Sequence, residues 1–118
     1  MKSLNLVMLL AALCGPAMAA DPAPITGKIK EVGAEFGNLD TDIPAARLIE
    51  AGVQPGTKFV FRCRDASITV TFGTTYSDVA KGEWISFENW EKNVRVARSF
   101  EHAAQATGCE LGDAVTPV

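Results

Sequence analysis

The sequence has few residues of the kinds that most often carry out catalysis. It contains one histidine, one tyrosine and three cysteines among 118 residues. The single histidine, His102, lies in a Phe-Glu-His-Ala-Ala segment, and an isolated histidine is more often a surface or structural residue than a catalytic one. We find no set of residues that would activate a nucleophile or place an acid opposite a base. We therefore predict that the chain alone is not an enzyme and uses no cofactor.

Positive charge is also scarce. The sequence has 11 lysine and arginine residues against 14 aspartate and glutamate residues, a net charge of −3. Non-specific binding to nucleic acids or anionic membranes requires clustered positive charge. We therefore expect no nucleic-acid partner, and no membrane association once the N-terminal segment described next has been removed.

A long apolar run occurs only near the N-terminus. It extends from Leu4 to Leu13, after the basic Lys2 and before a tail of small residues that ends at Ala20. This is the pattern of a secretory signal peptide, and the run is shorter than the roughly 20 residues of a membrane-spanning helix. We predict a signal peptide at residues 1–20, one domain at residues 21–118, and a periplasmic or secreted location.

Removal of that segment leaves two cysteines, Cys63 and Cys109, in an oxidising compartment. A disulfide between them is the natural prediction and would stabilise a domain of this size by roughly 3–4 kcal/mol. The alternative is a pair of buried free thiols. Together with His102 the two cysteines fall short of the four ligands of a structural zinc site. Asn38, Asp40 and Asp42 offer oxygen ligands for Ca²⁺ as an alternative, but the loop lacks the twelve-residue pattern and the final bidentate glutamate of a calcium loop, so we predict no metal site.

Short strands separated by turn residues dominate the rest of the chain. We predict strands at residues 25–32, 58–63, 67–72, 83–87, 94–97 and 114–116, and short helices at residues 45–51 and 100–107. Asp42 is the expected N-cap of the first helix, with Asp40 beside it as a partner of the helix dipole. This pattern indicates an all-β barrel or sandwich with one or two short helices.

The segment Phe36-Gly37-Asn38 is typical of a loop that contacts a ligand. It combines an aromatic ring, a glycine that accepts positive φ, and an amide that both donates and accepts hydrogen bonds. The alternative is an ordinary β-turn with a phenylalanine in the core.

The longer segment Phe36-Gly-Asn-Leu-Asp-Thr-Asp-Ile43 resembles the start of the C-terminal domain of the S-adenosylmethionine hydroxide adenosyltransferases, relatives of the bacterial fluorinase and chlorinase. The resemblance extends over residues 25–118 and continues at Thr75-Tyr-Ser-Asp78, Gly82-Glu83, Val94-Arg-Val-Ala97, Ala103-Ala104 and Gly112-Asp-Ala-Val115. It implies a small closed β-barrel, which has no free sheet edges to promote aggregation.

The resemblance also implies roles for individual residues. Phe36 and Asn38 match a phenylalanine and an asparagine near the adenosine of the substrate, and Tyr76 matches an aromatic residue that stacks on its base. In that family the domain lies at a trimer interface, and the residues that activate the nucleophile belong to an N-terminal α/β domain. The 118 residues contain no segment that resembles that domain.

Two departures from the family pattern argue against S-adenosylmethionine as the ligand. Trp90-Glu91-Lys92 stands where the family receives the methionine carboxylate, and the acidic side chain there would repel it unless Lys92 compensates the charge. Glu101-His102 replaces a Gly-Asn pair in another wall of the pocket. We predict instead that Phe36, Asn38, Tyr76 and Trp90 gather into a site for a nucleoside-like small molecule or a protein partner.

Two functional hypotheses follow from these observations. In the first, the chain is an exported, non-catalytic module that binds a ligand or partner, either alone or as a homo-oligomer. In the second, it is one half of a split S-adenosylmethionine hydrolase or adenosyltransferase whose catalytic domain is a separate chain. Export to a compartment with little S-adenosylmethionine favours the first. A third, simpler alternative is a stable envelope protein whose barrel has lost every ancestral site.

Overall fold

The computed structural model describes residues 24–117, so the predicted signal peptide lies outside the described residues. The elements in this range are β1 (Gly27–Val32), β2 (Leu39–Pro44), α1 (Ala45–Glu50), β3 (Lys58–Cys63), β4 (Ala66–Phe72), β5 (Trp84–Glu88), β6 (Asn93–Arg98), α2 (Ala103–Thr107) and β7 (Ala114–Pro117). Among these residues, no helix has the length and apolarity needed to cross a lipid bilayer.

The strands form a closed barrel in the order β1-β2-β6-β5-β4-β3-β7. The neighbouring strands pair antiparallel except β4 and β5, which are parallel and pair only at Thr71 with Ile85 and at Phe72 with Ser86. β7 closes the barrel because it pairs with β1 on one side and with β3 on the other. The predicted small closed β-barrel with short helices is confirmed.

The main core fills the barrel interior and follows the two-residue period of the strands. On β3, for example, Phe59 and Phe61 are buried while Lys58 and Arg62 are exposed. A second, smaller cluster of Ile85, Phe87 and Ala97 lies apart from this core and is covered by Tyr76 and Val79 from the segment that connects β4 to β5. This segment carries a side chain of the candidate site.

Strand β2 was not predicted, because its two aspartates have low strand propensity. The side chains of Leu39, Thr41 and Ile43 are nonetheless buried, and pairing with β1 and β6 overrides the local preference. The prediction that Asp42 caps α1 is wrong. The N-cap is Pro44, and Asp42 Oδ1 accepts a hydrogen bond from the Lys28 backbone N–H at 2.9 Å.

Helix α2 begins at Ala103, three residues later than predicted, and ends as expected at Gly108 in the left-handed conformation. Phe100 has a φ of 61° and therefore cannot belong to a right-handed helix. His102 is the N-cap, since its Nδ1 accepts a hydrogen bond from the Gln105 backbone N–H at 3.1 Å. The histidine is half-buried and has a structural role.

The predicted disulfide between Cys63 and Cys109 is present. It connects the end of β3 to the residue that follows α2 and its cap, across a Cα–Cα distance of 6.2 Å, and both cysteines are buried. Between residues 24 and 117, one group of possible metal ligands is close enough to share an ion, namely these cysteines with Asp113. Its sulfurs are joined to each other and Asp113 is bound by Arg64 at 2.7 Å.

Candidate ligand-binding site

The Phe36–Asn38 loop connects β1 to β2 in a tight turn. Gly33 and Asn38 close it through a hydrogen bond from the Gly33 N–H to the Asn38 carbonyl at 2.9 Å. Gly37 has a φ of 62°, and a Cβ atom added there would collide with the imidazole of His102. Glycine is therefore required at this position, both for its backbone conformation and for the close approach of His102.

Helix α2 fixes the same loop from the other side. The N–H of Ala103 donates to the carbonyl of Phe36 at 3.2 Å, and that of Ala104 donates to the carbonyl of Gly37 at 3.0 Å. The first N–H groups of a helix have no partner within the helix, so the loop supplies their acceptors. The ring of Phe36 is left 53% exposed, which rules out the alternative of a core phenylalanine.

Tyr76 opens a short 3-10 turn, Tyr76–Asp78. The Asp78 carboxylate holds this turn by accepting hydrogen bonds from the backbone N–H groups of Thr74 at 2.7 Å and Thr75 at 3.2 Å. These two bonds, that from Thr74 above all, lower the pKa of Asp78. The turn thereby presents the Tyr76 ring to the outer face of β5, where it contacts Phe87 edge-on at a centroid distance of 5.1 Å.

Asn38 and Tyr76 meet although they are far apart in sequence. The Asn38 Nδ2 donates to the Tyr76 hydroxyl at 2.6 Å. The other polar atom of the amide, Asn38 Oδ1, is buried and has no hydrogen-bond partner among residues 24–117. A buried acceptor without a partner costs about 1–3 kcal/mol, so the amide has unused capacity to accept a hydrogen bond.

A mostly apolar cleft of about 300 Å³ opens beside this pair. It is lined by Phe36, Tyr76, Arg98, Ser99 and Phe100. Phe100 is 78% exposed and occupies the left-handed region, which costs a bulky residue about 1–3 kcal/mol. The Glu101 N–H donates to the Arg98 carbonyl at 3.1 Å, so the positive φ belongs to a turn between Arg98 and Glu101, and this turn leaves the Phe100 ring exposed beside the cleft.

Two cations lie at the rim of the cleft. The Arg98 side chain is fixed, since its Nε donates to the Gly82 carbonyl at 2.8 Å and its Nη1 lies 3.2 Å from Glu101 Oε1. The Nζ of Lys81 lies 5.7 Å from the centroid of the Phe100 ring, a distance typical of a cation–π contact. The cleft therefore has two positively charged groups beside its aromatic rings.

Trp90 does not line this cleft. Its ring is 67% exposed and packs beside Arg95, whose guanidinium carbon lies 5.6 Å from the Trp90 centroid and 5.9 Å from that of Phe87. Arg95 in turn binds the buried Asp40 through Nε–Oδ1 and Nη2–Oδ2 contacts of 2.7 and 3.0 Å. The hydrogen bond to Asp40 raises the pKa of Arg95.

The structure thus brings together three of the four residues predicted for the site, Phe36, Asn38 and Tyr76. It also adds Arg98, Ser99 and Phe100 to the site, of which Phe100 was predicted to lie in a helix.

Asp40 was expected to interact with a helix dipole and instead forms a buried ion pair with Arg95. Its alternation with Leu39 and Thr41 on a strand was the signal that could have revealed this.

Comparison with known proteins gives a family and a fold. A family profile described as the SAM hydroxide adenosyltransferase C-terminal domain matches residues 28–116. An uncharacterised conserved protein from Thermotoga maritima is similar in structure, with a TM-score of 0.76 and 19% identity over 90% of this chain and 42% of that one. No curated protein matches.

A conserved hypothetical protein from Thermus thermophilus is also similar in structure. Its TM-score is 0.59 at 18% identity, over 80% of this chain and 35% of that one. The present chain therefore spans less than half the length of these two structural neighbours. At these identities the likeness establishes the fold.

Proposed function

The chain belongs to the family of SAM hydroxide adenosyltransferase C-terminal domains, and from that premise we propose that it is an exported, non-catalytic module that binds a planar, nucleoside-like ligand. The proposed site is the cleft between Phe36, Tyr76 and Phe100. The family resemblance supports adenosine as the first ligand to test, because Phe36, Asn38 and Tyr76 match family residues near that group.

This proposal rests on two exposed phenylalanine rings, Phe36 and Phe100, that lie beside the Tyr76 ring, which is held in place. Phe36 and Phe100 are 53% and 78% exposed, while Tyr76 is held by Phe87 and Asn38. Stacking of a base on an aromatic side chain contributes about 1–3 kcal/mol in nucleic-acid sites. A planar ring inserted between these side chains would cover apolar surface that water now contacts.

The amide of Asn38 supplies the polar selectivity of the proposed site. A donor on the ligand, such as the exocyclic amine of adenine, would satisfy the unpaired Asn38 Oδ1. The side-chain rotation that brings Oδ1 to the cleft would exchange the Nδ2 hydrogen bond to Tyr76 for one to the ligand, and Tyr76 would remain held by Phe87. Because a buried unpaired acceptor is unfavourable, occupation by such a donor is favoured over occupation by a purely apolar ring. The proposal therefore distinguishes nucleosides from simple aromatic compounds.

The segment Trp90–Lys92 supports a ligand without a methionine group. Glu91 carries a negative charge held in place by Lys30, with the Nζ–Oε2 distance at 3.0 Å. The neighbouring Trp90 packs on Arg95. A carboxylate brought to this region would face an acidic residue, and the cation bound to that residue, Lys30, is already engaged, so adenosine fits the proposal better than S-adenosylmethionine does.

Calorimetric titration of adenosine into the mature protein tests the proposal. Phe100→Ser should weaken binding by at least about five-fold, the lower end expected for the loss of one stacked ring. Leu111→Ser is the matched control, because Leu111 is 67% exposed and does not line the cleft. Absence of binding at millimolar adenosine, or equal effects of the two variants, would contradict the proposal.

The proposed lack of catalytic activity needs its own assay. Purified protein incubated with S-adenosylmethionine should release no adenosine above a heat-treated control.

Measurement of the molecular mass by analytical ultracentrifugation, with and without adenosine, tests whether the ligand-binding form is a monomer, the trimer implied by the family resemblance, or another homo-oligomer.

A further inference from the structure

Strand β4 is paired along its length on one side only. Its residues from Ala66 to Thr71 pair with β3. On the other side, the parallel ladder to β5 contains only Thr71 and Phe72. Among the described residues, the segment Ala66–Val70 therefore has no strand partner on the β5 side, although the barrel is closed beyond it.

The direction of the free backbone groups follows from the neighbouring hydrogen bonds. The Phe72 N–H donates to the Thr57 carbonyl at 2.8 Å, and the Phe72 carbonyl accepts from the Gly56 N–H at 2.7 Å, both on the β3 side. Alternate residues of a strand direct these groups to opposite sides. The N–H and C=O groups of Ser67 and Thr69 therefore point toward the unpaired side.

Apart from being short, this edge lacks the features that usually protect an edge strand. Native proteins use charged residues, proline or a bulge for that purpose, whereas the sequence of β4 is Ala-Ser-Ile-Thr-Val-Thr-Phe. Ile68 lies opposite Phe61 on the core side yet is only partly buried. An apolar side chain of an added strand would pack against it there.

The outer face next to this edge is positively charged. Lys58 and Arg62 of β3 are exposed, lie opposite Thr71 and Ser67 of β4, and form no ion pair among residues 24–117. A strand added to β4 would lie about 9–10 Å from β3, a distance that long side chains bridge. Acidic residues on the outer face of an added strand would therefore be favoured.

We propose that the β4 edge at Ala66–Val70 binds an extended segment of a partner protein by strand addition. The segment alternates apolar residues, which pack against Ile68, with acidic residues, which face Lys58 and Arg62. Main-chain hydrogen bonds to Ser67 and Thr69 provide affinity, and the alternating side chains provide specificity. This edge is separate from the residues that line the aromatic cleft.

A second copy of the chain fits this edge less well than an acidic segment does. Two β4 strands paired with each other would bring no acidic residue to the outer face, because β4 contains none. Lys58 and Arg62 of both copies would then share one surface. Charge complementarity therefore selects the acidic partner.

Amide hydrogen exchange measured by NMR on the mature protein tests this proposal. The probe is a synthetic peptide of four Glu-Val repeats with blocked ends, and the control is the corresponding Lys-Val peptide. We expect rapid exchange at Ser67 and Thr69 in the free protein, at least about ten-fold slower exchange with excess Glu-Val peptide, and no change with Lys-Val peptide.

Two sets of variants make the test specific. Thr69→Pro removes one edge N–H without removing a hydrogen bond to β3, and should abolish protection at Ser67, whereas Thr69→Val should retain it. Should Thr69→Pro lower the melting temperature strongly, the double variant Lys58→Ser and Arg62→Ser leaves β4 unchanged. It should weaken binding of the Glu-Val peptide several-fold.

Three results would overturn the proposal. Slow exchange at Ser67 and Thr69 in the free monomer would show that the edge is already covered. Equal protection by the two peptides would remove the role of charge. Protection that rises with protein concentration and without peptide would assign the edge to a second copy of the chain.

Discussion

The barrel interior and the outer face of β5 and β6 use aromatic residues in different ways. Inside, Phe59 and Phe61 are almost completely buried and surrounded by other apolar side chains. Outside, Tyr76 covers Phe87 while Phe36 and Phe100 remain exposed around a cleft. The interior therefore provides most of the stability, and the outer face places rings where a ligand can reach them.

The largest expected losses of stability should distinguish the barrel interior from the outer face. Phe61→Ala removes a fully buried ring and should lower the free energy of unfolding by about 3–5 kcal/mol. Tyr76→Ala removes an edge-on ring contact worth about 1 kcal/mol and the Asn38 hydrogen bond, worth about as much; it should therefore cost about 2 kcal/mol, less than Phe61→Ala, while it weakens adenosine binding. Urea unfolding of both variants checks this, and similar losses of stability would show that Tyr76 is a core residue.

Reduction of the disulfide should lower the stability of the domain almost as strongly as Phe61→Ala does. The bridge closes a segment of 46 residues, which corresponds to roughly 3–4 kcal/mol and to many degrees in melting temperature for a domain of this size. Differential scanning calorimetry with and without reductant measures the shift. Two titratable thiols in the oxidised protein would contradict the assignment.

Phe100 should show effects of opposite sign on stability and binding. Phe100→Gly relieves a positive φ of 61° and should raise the free energy of unfolding by about 1 kcal/mol, while the loss of the ring weakens adenosine binding. Phe87→Gly is the contrasting control, since it should reduce both. A loss of stability in Phe100→Gly would mean that the ring is needed for packing.

The smallest expected effect is the response of the Tyr76–Asp78 turn to low pH. Two backbone hydrogen bonds lower the pKa of Asp78 in the folded state. The contribution of Asp78 to the stability of the folded state is therefore complete above the ordinary aspartate pKa of about 3.9, and it is lost as the pH falls below that value. The Thr74 and Thr75 amides should therefore keep their chemical shifts down to about pH 4, the ordinary aspartate range, and change only below it. Asp78→Asn should abolish this titration, and an unchanged titration in that variant would assign it to another group.

Local patterns predicted much of the fold. The apolar alternation of β3 and β4 predicted the hairpin, and Pro44 with Gly52 marked the limits of α1. Strand β2 was missed although Leu39, Thr41 and Ile43 alternate with two aspartates, because aspartate has low strand propensity and favours turns locally. The buried ion pair between Asp40 and Arg95 satisfies one of these charges, and it requires two strands that are distant in sequence.

The candidate site was partly predictable for a different reason. Phe36, Asn38 and Tyr76 follow from the family resemblance, and Gly37 from the requirement for a tight turn. Phe100 does not, since its helical spacing with Ala103 and Ala104 suggests a helix, and its exposure depends on a backbone turn determined by packing. Trp90 was placed near the site by sequence but contacts Arg95 outside the cleft.

The most direct test of the proposed function is a map of adenosine binding by NMR chemical shifts on the mature protein. We expect shifts that saturate with adenosine and are confined to residues 36–38, 76 and 98–103, with the Asn38 side-chain amide among the most affected. Shifts elsewhere on the barrel, or none at millimolar adenosine, would contradict the assignment of this cleft as a nucleoside site.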